Sequence, residues 1–403
     1  MSNKTEEGEQ LMSVTIKKIE PFLYYADTPK NLLFCRVEAS DGTYGWGESY
    51  VGKGKEKVTK SYIESMAPAL IGQEVFAIKH MSTSLFDDFQ IRRSSVDFFS
   101  AWSSIEIALW DIIGKICGQP VYNLIGGRYR SRIRVYANGW WFGTKDTDET
   151  VKRALKIKEQ GFTALKWDPF YSPWRTYITK KEEDHAVANV KAMREALGED
   201  MDLMIEVHRR LSPYDAIHFG HRIEEFNPFV FEEPCLSDNL DLVRTVKQSL
   251  PFLRVVTGET MYTKEEIKNV LEMHAADVIN PDTCVCNGIH GMMEIASMAE
   301  PYNVCFSPHN YNSSIVGLAA TLHVSAVAPN FNIAELFVNV KEGCDLIDIN
   351  PIKVDHGFAE LPTTPGLGID IDVKELLRHQ AQDFKASTLI SCEKEYPCKE
   401  DYI

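Results

Sequence analysis

The chain has 403 residues, with 43 lysines and arginines against 58 aspartates and glutamates, a formal net charge of −15. Hydrophobic residues at 44% and charged residues at 25% fit a soluble globular protein with a sizeable core, built as two or three domains or as one large barrel with an accessory module. The acidic balance excludes a nucleic-acid footprint, which needs a basic face, and the longest weakly polar helical stretch, Ile315–Ala328, is too short for a membrane span.

In chain order, the opening MSNKTEEGEQ is polar and acidic, unlike a secretion signal or a basic transit peptide, so a cytoplasmic location is expected. SVTIKKIEPFLYY and NLLFCRVEAS then alternate loosely between apolar and polar residues. Asp41-Gly42 leads from the second run into TYGWGES, a hairpin signal because both turn residues tolerate positive φ. Three helical stretches follow, near Lys53–Ile71, Phe76–Phe89 and Phe98–Cys117. In the third, Trp102, Ile105, Ala108, Leu109 and Ile112 form one apolar stripe, and Gly118-Gln119-Pro120 stops it. These elements make a small α+β module.

From about Ile133 the rhythm changes to short apolar strand, loop, helix. Strands are predicted at Val135–Ala137, Ala164–Trp167, Leu203–Val207, Phe229–Phe231, Val255–Val256, Val278–Ile279, Val304–Phe306 and Asn332–Leu336. Ser212-Pro213 and the capping box Thr263-Lys264-Glu265-Glu266 mark helix starts. Alternating β and α over some 200 residues means a parallel sheet, and about eight units favour a closed α/β barrel. An open doubly wound sheet would show a glycine-rich phosphate turn after its first strand, and none is present. The nine cysteines, an odd number, show no CxxC pair and no zinc spacing, so they read as structural thiols of a reducing compartment.

The residues that end the predicted strands carry the chemistry. Strand three ends in LMIEVHRR with Glu206 and His208, strand four in FVFEEP with Glu232 and Glu233, and strand five in VVTGET with Glu259. The separations of 26 and 27 residues are one βα repeat each, so three acids occupy equivalent positions on adjacent strands, at the face where barrels keep their active sites. Three converging carboxylates need a compensating cation, and hard oxygen donors suit Mg²⁺, with Mn²⁺ as an alternative. Strand alternation lets one of the paired glutamates face the axis, taken as Glu232, with Glu233 behind it. Strand six ends in VINPD with Asp282 and strand seven in VCFSPH with His309, again one repeat apart, so a carboxylate can fix the imidazole tautomer and leave the other nitrogen as a base. His208, two residues after Glu206, could be a fourth ligand, a core histidine or an acid; with three carboxylates already present, the acid is favoured. Lys166 on strand two is placed to hold a substrate carboxylate or developing negative charge, and Glu335 on strand eight to hydrogen-bond an intermediate.

Together these residues resemble the enolase superfamily, in its mandelate racemase-like group of acid sugar dehydratases. IEIALWDIIGKICGQPVYNLIGG is similar to the signature that closes the family's N-terminal capping domain, and LMIEVHRRLSP, FEEP, VTGE, INPD and SPHN follow in the family's order. The resemblance implies an α+β capping domain over residues 1–125, a (β/α)7β TIM-like barrel over 126–350, and a C-terminal segment, 351–403, that returns to the capping domain. It implies Glu206, Glu232 and Glu259 as ligands of one Mg²⁺, His309 with Asp282 as the base that forms an enediolate, and Glu335 on the intermediate. The histidine two after the first ligand is similar to galactonate dehydratase, which makes His208 the acid for the departing hydroxyl. Lys166 and Asp168 are expected to contact substrate. Racemases of the group carry Lys-x-Lys where this chain has Lys166-Trp167-Asp168, which supports elimination over inversion. The expected activity is dehydration of an aldonate or aldarate to a 2-keto-3-deoxy acid. The rivals are an epimerase or cycloisomerase using the same enediolate, and a barrel that binds without turnover, for which Arg209 after His208 is the relevant feature. Capping loops near Phe22–Thr28 and Tyr50–Lys55, with Tyr24 or Tyr25, are the expected specificity positions, and YSPWRTYITKK after strand two is either lid or surface. A homo-oligomer acting on a small sugar acid is the expected assembly.

Overall fold

The computed structural model describes residues 13–27, 30–144, 146–170, 178–311, 313–379 and 381–384. The antiparallel strands β1 (Ile16–Tyr24), β2 (Leu32–Ala39) and β3 (Tyr44–Ser49) form one sheet in that order. Gly42 takes φ 89° in the β2–β3 turn, and the Asp41 carboxylate accepts the Thr43 N–H at 2.9 Å. Helices α1 (Glu56–Leu70), α2 (Ile78–Ser84) and α3 (Val96–Cys117) follow. The single helix expected over 76–89 is divided, because α2 passes into a π turn at Leu85–Phe89.

Helix α3 is buried almost all round, from Phe98 to Gly114, and not along one stripe. The sheet covers one side and the second domain another. Contact with β3 is so close that a Cβ on Gly47 would lie 1.7 Å from the Ser104 carbonyl oxygen, and one on Gly45 2.1 Å from that of Ala108. The glycines of TYGWGES are therefore needed for backbone-to-helix packing.

After the single turn α4 (Val121–Leu124), eight parallel strands alternate with seven helices among the described residues. The strands are β4 (Arg132–Asn138), β5 (Ala164–Trp167), β6 (Asp202–Glu206), β7 (Val230–Glu232), β8 (Val255–Thr257), β9 (Val278–Ile279), β10 (Cys305–Phe306) and β11 (Ala334–Phe337). The intervening helices are α5 (Thr147–Glu159), α6 (Lys180–Leu197), α7 (Pro213–Ile223), α8 (Leu240–Ser249), α9 (Lys264–Glu272), α10 (Gly288–Ala299) and α11 (Ile315–Val327). Neighbours pair in chain order from β4 to β10, β11 pairs with β4, and a bridge between Phe306 and Phe331 closes the circle. The expected helix starts form: Ser212 accepts the Asp215 N–H with Pro213 in the first turn, and Thr263 and Glu266 make a reciprocal capping box.

No eighth helix covers β11 among the described residues. The chain runs through α12 (Lys341–Cys344), and a cavity of about 1010 Å³ remains between β11 and the following segment, lined by Phe162, Leu318, Leu336 and Val354. The C-terminal segment first adds the hairpin β12 (Val354–Asp355) and β13 (Phe358–Glu360) to the start of β4. It then reaches the N-terminal domain ahead of α13 (Val373–Arg378): Leu367 N–H donates to Asp111 at 2.8 Å, and Asp370 accepts from Tyr44 Oη at 2.7 Å and Trp46 Nε1 at 3.0 Å.

Two buried carboxylates join the N-terminal domain to the barrel. Glu48, on β3, accepts Ser314 N–H at 2.9 Å, Ser314 Oγ at 2.6 Å and Gly317 N–H at 2.9 Å at the start of α11. Glu106, on α3, accepts Ile289 N–H at 2.8 Å and His290 N–H at 2.9 Å at the start of α10. Each carboxyl group accepts from helix donors that lack an intrahelical partner and sits at the positive end of a helix dipole.

Inside α11, His323 is fully buried. Its Nδ1 accepts Tyr122 N–H at 3.2 Å and its Nε2–H donates to the Leu367 carbonyl at 3.1 Å, so both nitrogens are satisfied only by the neutral ring. Burial pushes its pKa down to about 4. The unfolded histidine titrates near 6.5, so the unfolded chain takes up the proton first as pH falls. The His323 contribution is complete above pH ~6.5 and is lost progressively towards pH 4, by up to ~3 kcal/mol. We expect the stability gap between wild type and His323→Gln, measured by urea unfolding, to narrow across that window; a gap independent of pH would show that the buried ring does not remain neutral.

Candidate active site

The C-terminal ends of the barrel strands gather the acids that lie far apart in sequence. Glu206 ends β6 and Glu232 ends β7, and the two are in register as strand neighbours. Glu259 lies two residues beyond β8, after Gly258 at φ 139°. One carboxylate oxygen from each of the three falls within 4.8 Å of the others. Glu233 takes a left-handed φ of 43° and turns behind the group, where its Oε1 accepts Thr257 Oγ1 at 3.1 Å and Gly258 N–H at 3.0 Å.

Lys166 on β5 lies beneath these acids, about 1% exposed, with Nζ 2.6 Å from Glu232, 3.0 Å from Glu335 and 3.6 Å from Glu206. Its ammonium is thus surrounded by protein carboxylates at the base of the mouth. Glu335 on β11 also accepts Asn138 Nδ2 at 2.6 Å and Asn310 N–H at 2.8 Å. Despite burial, Lys166 and His309 hold the Glu335 carboxyl down to about 2. Burial, reinforced by the charge of Glu259, pushes Glu206 up to about 7. Burial likewise raises Glu232 well above the ordinary range, against the pull of Lys166. Glu259 is buried too, but Arg209, then His309, hold it well below that range.

Two histidines flank the group, each on a carboxylate. His309 Nδ1 is 2.8 Å from Asp282 Oδ2, and its Nε2 faces Glu259 at 3.3 Å and Glu335 at 3.5 Å. Burial disfavours the imidazolium, but Glu335, the Asp282 hydrogen bond and Glu259 together raise the His309 pKa to about 10. His208 Nδ1 is 2.8 Å from Asp168 Oδ2. β6 ends at Glu206, and His208 and Arg209 both take left-handed φ values of 52° and 62°. The His208 position therefore follows from this turn and from Asp168, and not from continuation of an extended strand. β6 and β10 lie four strands apart either way round the barrel, so the two dyads stand on opposite walls.

Asp168 was expected to contact substrate. Its Oδ1 accepts Phe170 N–H at 2.8 Å, and its Oδ2 engages His208 and Arg210 Nη2. The Arg209 guanidinium donates to Glu259 Oε1.

Several residues at the mouth carry signals that strand-end counting missed. Asn280 Nδ2 donates to Glu232 at 2.9 Å; it lies two residues before Asp282 in INPD, the same spacing that singled out Glu206 and His208. Asn138 ends β4. From the N-terminal domain, the Tyr50 ring lies 6.4 Å from that of His309, and Tyr311 stacks on His309 at 6.2 Å with 10° between planes. The Lys30 ammonium sits 4.4 Å from the Tyr311 ring centroid and donates to the Val51 carbonyl at 2.9 Å. Tyr24, one of the two expected contacts, is fully buried and donates to the Gly343 carbonyl at 2.6 Å, while Tyr25 pairs with Asp27 at 2.9 Å. Most of the loop after β5, residues 171–177, lies outside the described residues, as do Thr28, Cys392 and Cys398.

The donor set fits a hard divalent cation. It offers three carboxylates with neither thiolate nor imidazole, and burial raises two of them despite Lys166. Among the described residues no helix is long and apolar enough to cross a membrane.

Comparison with known proteins agrees with the domain order of the fold. Residues 17–126 match the mandelate racemase / muconate lactonizing enzyme N-terminal domain, and residues 149–376 match the enolase C-terminal domain-like family. The chain is 34% identical to a D-gluconate/D-galactonate dehydratase of Picrophilus torridus over 348 residues, 85% of this chain and 87% of that protein. It is 32% identical to a D-gluconate dehydratase of Thermoproteus tenax over 376 residues, 91% of this chain and 74% of that one. Among solved structures, a mandelate racemase/muconate lactonizing enzyme from Sulfitobacter superposes with a TM-score of 0.86 at 28% identity, covering 94% of this chain and 100% of the other. The 3,6-anhydro-D-galactonate cycloisomerase of Zobellia galactanivorans superposes with a TM-score of 0.82 at 30% identity, covering 91% and 99%. Sheet-and-helix domain, closed barrel and sequence match agree along the length of one chain, which belongs to the enolase superfamily, in its mandelate racemase/muconate lactonizing enzyme-like group.

Proposed function

We propose that the protein dehydrates a sugar acid, an aldonate or aldarate, to a 2-keto-3-deoxy acid. The observation that carries this reading is the pair of imidazole–carboxylate dyads, His309–Asp282 and His208–Asp168, on opposite walls around one carboxylate group. An elimination needs a base for the α-hydrogen and a separate acid for the β-hydroxyl, and two differently placed imidazoles supply both. The named dehydratase relatives support the same class.

Glu206, Glu232 and Glu259 would hold the divalent cation, Mg²⁺ on this reading. When bound, it supplies Lewis-acid stabilisation of the substrate carboxylate and offsets the anionic field that otherwise retains the His309 proton. His309 Nε2 takes the proton from the carbon next to that carboxylate, while Asp282 holds Nδ1 and so the tautomer. Glu335, fixed by Asn138, Lys166 and the Asn310 amide, borders the side where the enediolate forms. His208, as imidazolium, gives its proton to the β-hydroxyl, which departs as water; the electron pair of the enediolate forms the new double bond, and the enol then tautomerises. Two expected roles change. Asp168 orients His208 in place of binding substrate, and Lys166 acts from beneath as a fixed counter-charge.

A second reading is cycloisomerisation from the same first step, favoured by the likeness to the Zobellia structure. Incubating the purified protein and Mg²⁺ with a library of sugar acids separates the two. Keto-acid formation with loss of water supports dehydration, an isomeric product of unchanged mass supports the second reading, and no turnover with any acid argues against both.

His309→Asn is expected to stop both dehydration and exchange of the α-hydrogen with solvent deuterium, by roughly 10²–10⁴-fold. His208→Gln is expected to lose dehydration by a similar factor and keep the exchange, read by NMR in D₂O; loss of both would show that His208 serves the first step as well. Asp168→Asn is expected to lower kcat with little change in KM, because it acts through His208; a rise in KM at constant kcat would restore it as a substrate contact. Chelation with EDTA is expected to abolish exchange and turnover together, with recovery on added Mg²⁺.

A further inference from the structure

We propose that Arg209 acts as a built-in counter-cation of the carboxylate group and governs its affinity for a divalent metal, moving from Glu259 to Glu233 when the metal enters. This rests on the reading of Glu206, Glu232 and Glu259 as metal ligands.

Both oxygens of Glu259 are already occupied. Arg209 Nη1 donates to Oε1, and His309 Nε2 lies 3.3 Å from Oε2. A cation drawn to either oxygen of Glu259 therefore meets a protein group already seated there, and at Oε1 that group is a fixed positive charge that opposes a second one. His309 is the tighter of the two, held by Asp282 at 2.8 Å and only 7% exposed in its side chain, whereas the Arg209 side chain is 22% exposed and reaches solvent. The Arg209 backbone, in contrast, is pinned: its φ is 62°, and its N–H donates to the Glu233 carbonyl at 2.7 Å. Movement is thus confined to the side chain.

A destination is available beside it. Glu233 Oε1 accepts Thr257 Oγ1 and Gly258 N–H, but Glu233 Oε2 is buried without a hydrogen-bond partner. An unsatisfied buried carboxylate oxygen is costly, and a guanidinium is the donor best matched to it. Glu233 and Arg209 adjoin, joined through the Arg209 N–H and the Glu233 carbonyl at 2.7 Å. The exchange gives the metal an oxygen of Glu259 and gives Glu233 its missing donor, so the arginine charge remains compensated in both states.

The test is calorimetric titration of wild type, Arg209→Met, Glu233→Gln and the double variant with MgCl₂, in the absence of any substrate. Arg209→Met is expected to bind Mg²⁺ at least tenfold more tightly than wild type, since no resident cation must leave. Glu233→Gln is expected to weaken binding severalfold in the wild-type background, and to have no effect once Arg209 is absent. Equal effects of Glu233→Gln in both backgrounds would reduce Arg209 and Glu233 to independent charges and overturn the exchange. So would unchanged or weaker binding by Arg209→Met. Should Arg209→Met not fold, Arg209→Gln carries the same comparison. Absence of Mg²⁺ binding by every variant and by wild type would instead remove the metal reading itself, a distinct result from measurable wild-type binding with additive effects.

Discussion

Like charges brought together in a dry place must be neutralised, and this constraint organises the barrel mouth. A closed ring of parallel strands points all its C-terminal ends at one small volume, so one acid per strand is enough to crowd Glu206, Glu232, Glu259 and Glu335 together. Burial alone would force protons onto them. The protein answers with Lys166 from beneath, Arg209 from the rim and His309 from the far wall, each in contact with at least one of the four. Burial, reinforced by the neighbouring carboxylates, nevertheless keeps Glu206 and Glu232 raised.

The N-terminal domain is coupled to this centre by a short path. Glu48, which caps α11, lies two residues before Tyr50, whose ring adjoins His309. On the barrel side, Ser314 lies five residues after His309. The same carboxylate contact therefore sets both the capping residue beside the histidine and the loop that carries the histidine. Lys30 extends the connection by placing its ammonium on Tyr311, whose ring stacks on His309 and adjoins that of Tyr50. Packing of α3 against β3 at glycine distances leaves little room for these parts to shift independently.

Much of this was legible before any coordinates, because a barrel converts regular spacing into convergence. Strand ends one repeat apart placed Glu206, Glu232 and Glu259 together, and likewise Asp282 with His309. Depth was not legible. Lys166 and Asp168 are two residues apart and share a strand face, yet one lies a layer below the mouth among carboxylates and the other meets His208. Neutral partners such as Asn138 and Asn280 carry no charge to draw attention to them. The left-handed turn at His208 and Arg209 has no glycine to announce it. Glu48 and Glu106 drew no attention, since the helix-start amides that they bind lie 266 and 183 residues away in the chain. The all-round burial of α3 was hidden for a related reason: its second apolar side meets a domain that sequence periodicity cannot position.

The two acids at the helix starts also bear on how such proteins could be recombined. A chimera that grafts this lid onto another barrel would carry Glu48 and Glu106 into a seam where the host must present unpaired amides in the same two spots. A host that offers no donors there would trap two unpartnered carboxyl groups between the halves, a fault that shape matching alone would not reveal. Compatibility between donor and recipient thus turns on where two helices begin.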